Sequence, residues 1–220
     1  MTNVLHKLEV VVADDHPIIL SAVAHALGEL GFVVRATVRS GAELLDELAR
    51  NGPFGLIVTD FTMKGKDDEV DGLRLIGRLQ RLYPDTPIVI FTMLTNGAIL
   101  NRLCSLGVAA IVSKEEPRNT LAQVCQRALG ANHVVLSPKI EARLAEEGST
   151  TKDFSAMTPL SPSELEVVRL FAMGLSVTDI SKRLKRAVTT IATQKRIAMR
   201  KLHVETNADL IRYAADHGFC

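Results

Sequence analysis

Four short apolar runs in the first half of the chain each stop at a residue able to do chemistry. Leu8–Ala13 stops at Asp14 and Asp15, and Leu56–Thr59 stops at Asp60. Ile88–Thr92 ends on Thr92, and Ala109–Val112 stops at Ser113 and Lys114. Runs of this length and character read as buried parallel strands, whose carboxyl ends share one edge of a sheet. Three carboxylates, a hydroxyl and an ammonium should therefore converge. Crowded carboxylates repel one another unless a cation intervenes, and hard oxygen ligands at a partly solvated site favour Mg2+. A carboxylate in that setting can attack a phosphoryl group and form an aspartyl phosphate, and Asp60 is placed for it. A single Asp after a strand is often only a turn residue or a helix N-cap. Four strand ends carrying such groups in order make the chemical reading the stronger one.

A second set of residues lies near the other end of the chain. The segment Val188–Leu202 has helical periodicity, with Ile191, Ala198 and Leu202 on its apolar side. Thr189, Thr190, Thr193, Gln194, Lys195, Arg196, Arg200 and Lys201 fall on the remaining face. Short hydroxyls and Gln can reach base edges, while Lys and Arg neutralise phosphates or, as Arg, read guanine. A solvated basic face is the plainer alternative on charge alone. The charge distribution favours nucleic acid. Net charge is only +1 over 220 residues, but residues 1–159 hold 16 Lys and Arg against 19 Asp and Glu. Residues 160–220 hold 10 against 6, and residues 177–204 hold eight basic residues and one acid, Asp179. An acidic front with a basic stripe behind it is the footprint of a nucleic-acid-binding module joined to something else.

The elements that must position these groups follow from periodicity. In the first 130 residues the four apolar runs and a weaker one, Val33–Val38, alternate with helical stretches. These are Pro17–Gly28, Gly41–Arg50, Gly72–Leu82, Ala98–Leu106 and Thr120–Leu129. Five strand–helix units predict a right-handed, doubly wound α/β domain with a five-stranded parallel sheet. Such sheets bind ligands at the carboxyl ends of their strands. His133–Pro138 and a short helix, Lys139–Glu147, lead to Gly148–Met157, whose weak periodicity reads as a linker. Beyond it only helices are expected: Pro162–Met173, Val177–Leu184, Val188–Leu202 and Ala208–His217. The turn Lys185–Ala187 joins two of them as in a helix-turn-helix. Ser161, with Pro162 and Glu164 after it, suits a helix start.

The bulk composition agrees with two small globular domains, with 47% apolar and 23% charged residues. Cys104, Cys125 and Cys220 show neither CxxC nor metal-ligand spacing, which fits reduced thiols. No apolar run approaches the ~20 residues that span a bilayer. The first nine residues lack the apolar stretch of a signal peptide. The expectation is a cytoplasmic protein with no membrane partner.

Ala13-Asp14-Asp15-His16-Pro17, Thr59-Asp60-Phe61-Thr62-Met63, Phe91-Thr92-Met93 and Ser113-Lys114 resemble the receiver domain of two-component response regulators over roughly residues 8–130. That resemblance implies a flavodoxin-like fold of strand order 2-1-3-4-5. It implies Mg2+ held by Asp15, Asp60 and the backbone carbonyl of Thr62, with Asp14 assisting. Asp60 would be the phosphoacceptor, Thr92 would engage the phosphoryl oxygen, and Lys114 would pair with it. Leu160-Ser161-Pro162-Ser163-Glu164, Gly174–Leu184, Thr190-Ile191 and Lys201-Leu202 resemble the LuxR/FixJ-type helix-turn-helix over residues 158–220. Residues 131–157 would be the connecting helix and linker.

Taken together, the two resemblances imply a DNA-binding transcriptional response regulator rather than an enzyme. A histidine kinase or phosphotransfer protein would phosphorylate it, and phosphorylation would control dimerisation and promoter binding on double-stranded DNA. The dimer would form through the C-terminal helix around Thr206–His217 and the receiver, with a heterodimer with another LuxR-type regulator left open. Two features depart from the family's pattern. The stretch from Met63 to Leu73 is longer than usual and has Lys64 where Pro is customary, which predicts a charged loop beside the phosphosite. Ile111 stands where many relatives carry a switch aromatic, so the usual coupling of Thr with an aromatic is not expected here. The competing reading is a regulator whose receiver is a phosphorylation-independent dimerisation platform. A hydrolase of the aspartyl-phosphatase type comes third, since it needs a free substrate and no Gly-rich phosphate loop is visible.

Overall fold

The computed structural model describes residues 8–63, 71–150, 160–202, 204, 206–216 and 219. The chain divides into two compact units, Met1–Met93 with Leu103–Glu141, and Leu94–Arg102 with Ala142–Cys220.

The first unit contains one parallel sheet. Its strands are β1 (Glu9–Ala13), β2 (Val33–Val38), β3 (Leu56–Thr59), β4 (Ile88–Thr92), β5 (Ala110–Ser113) and β6 (Val135–Leu136), in the order β2-β1-β3-β4-β5-β6. The helices are α1 (Pro17–Glu29), α2 (Gly41–Asn51), α3 (Gly72–Leu82), α4 (Gly97–Ser105) and α5 (Arg118–Ala128). The division into units passes through α4, after Arg102. Five strands are expected from the apolar runs and six are found. The extra strand, β6, falls in the stretch read as a connector. Two residues carry no period of their own, and β6 exists because it pairs with β5, Val135 opposite Ala110 and Leu136 opposite Ile111.

Strand alternation sorts the core. Val10, Val12, Leu56, Val58, Val89, Ala110 and Val112 pack with Leu20, Val23 and Leu27 of α1 and with Leu121, Val124 and Cys125 of α5. The intervening strand residues Val11, Ile57, Ile90 and Ile111 are buried on the opposite face. Leu44 and Leu48 of α2 and Leu75, Ile76 and Leu79 of α3 are buried too, on helices whose apolar residues recur every three or four positions. Burying the thiol of Cys125 pushes its pKa to about 12, so it behaves as a small hydrophobe. A long helix, α6 (Pro138–Thr150), follows β6 and takes in residues 148–150, which the sequence assigns to the linker. The rest of that linker, residues 151–157, lies outside the described residues.

The second unit contains α7 (Pro162–Ala172), α8 (Val177–Leu184), α9 (Val188–Lys201) and α10 (Asn207–Asp216). Val167, Leu170, Ile180, Leu184 and Ile191 form its core, with Phe171, Leu175 and Val177 against it. Ser161 and Glu164 close a capping box at the start of α7, and Ser176 with Asp179 does the same for α8. Lys185 ends α8 in the left-handed conformation (φ 50°, ψ 46°), and Arg186 N–H donates to Ser181 O at 3.0 Å. That is the Schellman geometry that turns a chain sharply out of a helix. No described helix is long and apolar enough to cross a membrane.

Candidate phosphoacceptor pocket and nucleic-acid interface

The carboxyl ends of β1, β3, β4 and β5 meet at one edge. Ala13 is in register with Thr59, Thr59 with Ile90, and Thr92 with Ser113. Asp60 N–H donates to Ala13 O at 2.8 Å, and Asp14 N–H to Val38 O at 3.1 Å. These backbone bonds carry the acids out of the sheet side by side. Asp14, Asp60 and Thr92 are all buried. Lys114 Nζ lies 2.6 Å from Asp14 Oδ2 and 2.6 Å from Asp60 Oδ2, with its side chain only 7% exposed. The other oxygen of Asp60, Oδ1, accepts from Phe61 N–H at 2.6 Å and Thr62 N–H at 3.4 Å. Lys114 N–H donates to Thr92 O at 2.8 Å, so the backbone of the two supporting residues is joined directly.

The electrostatics are strained in one direction. Burial pushes the Asp60 carboxyl above its ordinary value, and the charge and hydrogen bond of Lys114 do not cancel that push. For Lys114 burial acts the opposite way, lowering the ammonium. The attraction of Asp60 and the bonds to Asp14 and Asp60 outweigh it and hold Lys114 above the usual lysine value. A buried cation thus sits between two carboxylates, one of which is charged at a cost.

His16 adds to the rim. Its N–H donates to Asp14 Oδ1 at 2.9 Å, and its ring Nδ1 lies 2.7 Å from Asp15 Oδ1. Asp14, Asp15 and His16 bring one ligand atom each within 4.8 Å of one another. Asp14 Oδ2 is buried without a hydrogen bond of good angle, its charge being met by Lys114. Carboxylate oxygens gathered at a rim, one of them deprived of water, fit a hard divalent cation. The sequence names Asp14, Asp15, Asp60, Thr92 and Lys114 as converging, and the strand ends bring them to one edge. Thr62 follows Asp60 directly, half-buried.

The lengthened loop is tied at its base. Met63 N–H donates to Asp71 Oδ1 at 3.1 Å, and Gly72 N–H to Phe61 O at 3.1 Å. Asp71 is buried and occupies the N-cap position of α3 without capping it; its side chain closes the loop instead. Gly72 has φ +60°, a value that favours glycine. Residues 64–70, including Lys64, lie outside the described residues. Asp71 is a loop-closing residue that the charge pattern alone does not single out. Ile111 is fully buried, flanked by Ile90 of β4 and Leu136 of β6.

On α9, Thr189, Thr190, Thr193, Arg196 and Arg200 are exposed, and Gln194 is half-buried. Ile191, Ala198 and Leu202 face the core as the periodicity predicts. Two basic residues assigned to this surface are held by their own domain. Lys201 Nζ lies 2.8 Å from Glu164 Oε2, and Lys195 Nζ sits 4.0 Å from the centre of the Phe171 ring. Partial burial lowers the Lys195 ammonium below its ordinary value. The exposed set is widened at the turn by Lys185 and Arg186, and by Val188 at the start of α9.

Comparison with known proteins matches both halves. Residues 10–126 match the response regulator receiver domain, and residues 158–214 match the bacterial regulatory proteins of the luxR family. The transcriptional regulatory protein RcsB of Escherichia coli (strain K12) is 34% identical over 212 residues, covering 95% of this chain and 94% of that protein. A putative transcriptional regulator of Pseudomonas aeruginosa is 28% identical over 209 residues, covering 95% and 98%. The solved structure of Salmonella typhimurium RcsB superposes with a TM-score of 0.81 at 32% identity, covering 97% of this chain and all of that one. RcsB from Salmonella enterica serovar Typhimurium, bound to promoter rprA in the presence of the phosphomimetic BeF3−, gives 0.80 at 33%, with 96% and 99% covered. The chain belongs to the response regulators that join a receiver domain to a LuxR-type DNA-binding domain, and it is similar to RcsB over 95% of its length.

Proposed function

We propose that this chain is a phosphorylation-controlled transcription regulator in which Asp60 accepts a phosphoryl group and the LuxR-type domain binds double-stranded DNA. The observation that carries the reading is the buried Lys114 ammonium held 2.6 Å from Asp60. Asp60 attacks phosphorus with a carboxylate oxygen, an O–P bond forms, and the donor's bond to phosphorus breaks. With a phosphohistidine donor from a kinase or phosphotransfer protein, the leaving group is the imidazole nitrogen, which takes up a proton. Lys114 then exchanges a carboxylate partner for a phosphoryl oxygen, and Thr92, buried at the end of β4, is the hydroxyl that would engage the same product. Asp14, Asp15, Asp60 and the Thr62 carbonyl are the groups that would hold Mg2+. Bound there, the ion would neutralise the phosphoryl charge against these acids.

The exchange at Lys114 and Thr92 supplies a charge and packing change that can bias a two-state surface. Dimerisation then places two α9 helices on half-sites about one helical turn apart. Ile211, exposed on α10, supports an interface there. Thr189, Thr190, Thr193, Gln194, Arg196 and Arg200 read or position DNA, while Lys195 and Lys201 neutralise phosphates and also brace the helix that carries them. RcsB bound to promoter DNA with BeF3− supports both halves of the reading by relationship. The function is regulatory and cytoplasmic, and it requires no turnover of a free substrate.

The test is promoter binding by fluorescence anisotropy, with and without acetyl phosphate and Mg2+. Wild type should gain affinity and dimerise on phosphorylation, and Asp60→Asn should not. Equal affinity and equal oligomeric state under both conditions would support the second reading, a receiver that acts as a phosphorylation-independent dimerisation platform. Ile111, buried where relatives carry an aromatic, favours that alternative.

A further inference from the structure

β6 pairs with β5 through bonds that change character at their last step. Val135 N–H donates to Ala109 O at 2.9 Å, and Ser137 N–H to Ile111 O at 3.0 Å. In an unbroken parallel ladder the next bond runs from Ser113 N–H to the Ser137 carbonyl. That carbonyl is already used, since it accepts from Glu141 N–H at 2.9 Å in the first turn of α6. The Ser137 hydroxyl takes its place and accepts Ser113 N–H at 3.2 Å. Both serines are fully buried. Ser137 therefore ends a strand with its hydroxyl and starts a helix with its carbonyl.

The residue held this way precedes Lys114. The Ser113 hydroxyl accepts from Glu115 N–H at 3.2 Å, and the Ser113 carbonyl accepts from Glu116 N–H at 3.1 Å. Further out, Glu116 Oε1 accepts from Lys139 N–H at 2.7 Å, and Lys139 Nζ lies 3.4 Å from Glu115 Oε2. The segment Ser137–Lys139 thus clasps the β5–α5 turn from the side away from the phosphosite. Removing the hydroxyl would leave Ser113 N–H buried without its acceptor, which the backbone avoids by shifting.

We infer that Ser137 is a positioning residue for phosphoryl transfer to Asp60: by accepting Ser113 N–H it fixes the backbone that aims the Lys114 ammonium. The inference rests on Asp60 being the phosphoacceptor. Ser137 lies past residue 126, where the match to the receiver family ends. The acceptor pocket is thus completed by a residue outside that domain pattern. Lys114 must leave a carboxylate and meet a phosphoryl oxygen, so its reach depends on where its backbone stands.

The experiment follows phosphoryl incorporation into the full chain by intact-mass spectrometry, with acetyl phosphate and Mg2+ at varied donor concentration. Ser137→Ala should lower the saturated rate by about tenfold, within the range that small misplacements of a reacting group produce. Half-saturation by donor should stay unchanged. Ser137→Thr keeps a hydroxyl and should restore the rate. In a Lys114→Ala background, Ser137→Ala should cause no further slowing, because the effect passes through Lys114. Glu116→Ala releases the outer strap, should slow transfer less, and should also lose its effect without Lys114. It decides the matter if Ser137→Ala fails to fold. A wild type that takes no label, or Asp60→Asn labelled as fast as wild type, overturns the Asp60 reading. With Asp60 confirmed, the positioning role alone is overturned by any one of three results. These are an unchanged rate in Ser137→Ala, no rescue by Thr, and equal slowing with and without Lys114. An unchanged rate in Glu116→Ala does the same where Ser137→Ala does not fold.

Discussion

Among the described residues, a lysine meets a buried acid in two clusters, and they are built on opposite terms. At the sheet edge, Lys114 lies between Asp14 and Asp60, and burial leaves the Asp60 carboxyl above its ordinary value. In the helical domain, Lys201 meets Glu164, which also accepts from Ser161 N–H at 2.7 Å. Burial pushes Glu164 up as well, but the bonds from Lys201 and Ser161 outweigh it and leave its carboxyl below the ordinary value. One cluster keeps a charge its surroundings disfavour, and the other keeps a charge its surroundings hold in place. The first pattern is that of a site awaiting a ligand or a reaction, and the second is that of a scaffold.

The sharpest way to break this comparison is Asp60→Asn. Phosphoryl incorporation should be lost completely, as read by intact mass. The same substitution should raise the thermal midpoint of the receiver without Mg2+. A carboxyl whose folded pKa is raised stabilises the fold at low pH and loses that contribution as pH rises through the folded pKa. At neutral pH the ionised Asp60 therefore opposes folding, and a neutral amide removes the opposition. A midpoint that falls would mean the pocket is a scaffold like the other cluster.

Lys114→Ala tests the same pocket from the cation's side. Removing one partner of a buried pair leaves uncompensated charge and costs ~3–5 kcal/mol in denaturant unfolding. Mg2+ should recover part of that loss, since an ion that binds only the folded state stabilises it by mass action. Unfolding of this variant should thus depend more steeply on Mg2+ than that of wild type. An equal dependence would place the cation site away from Lys114.

On α9 the comparison runs between residues that look alike in the sequence. Arg196 is exposed, and Arg196→Ala should weaken specific DNA binding by ~1–3 kcal/mol if it reads a base, with no change in thermal midpoint. Lys195 packs on Phe171, so Lys195→Ala should lower the midpoint as well as the affinity for all sequences. Salt titration of binding separates them, because only a lost phosphate contact flattens the slope.

The parts of this protein that repeat were legible in its sequence. Short continuous apolar runs stopping at or beside Asp14, Asp60, Thr92 and Lys114 made both the sheet and its chemical edge legible, because strand ends and acids coincide in linear order. Ile191, Ala198 and Leu202 told the inner face of α9 from the outer one by spacing alone. What escaped depends on partners far away in the chain. β6 is two residues whose pairing comes from β5. Asp71 closes a loop on Met63, eight residues back, which no local pattern announces. Nothing local reveals that Lys195 packs on Phe171 or that Lys201 meets Glu164, each more than twenty residues away.

The smallest expected effect probes the satisfied cluster. Glu164→Gln keeps the shape of the capping box but removes the charge that Lys201 and Ser161 stabilise. The cost should be ~1 kcal/mol, as for loss of a helix cap, with the midpoint falling where that of Asp60→Asn rises. The pH dependence follows the same sign. Glu164 has a lowered folded pKa, so its contribution is present above its ordinary value of 4.5 and is lost as pH falls below it. Amide exchange at α7 should therefore quicken on acidification towards that range in wild type and not in Glu164→Gln. Over the same interval, protonation of Asp60 works in favour of the receiver fold. Acid should then loosen the helical domain before the sheet, and matching loss of protection in both would remove the distinction between the clusters.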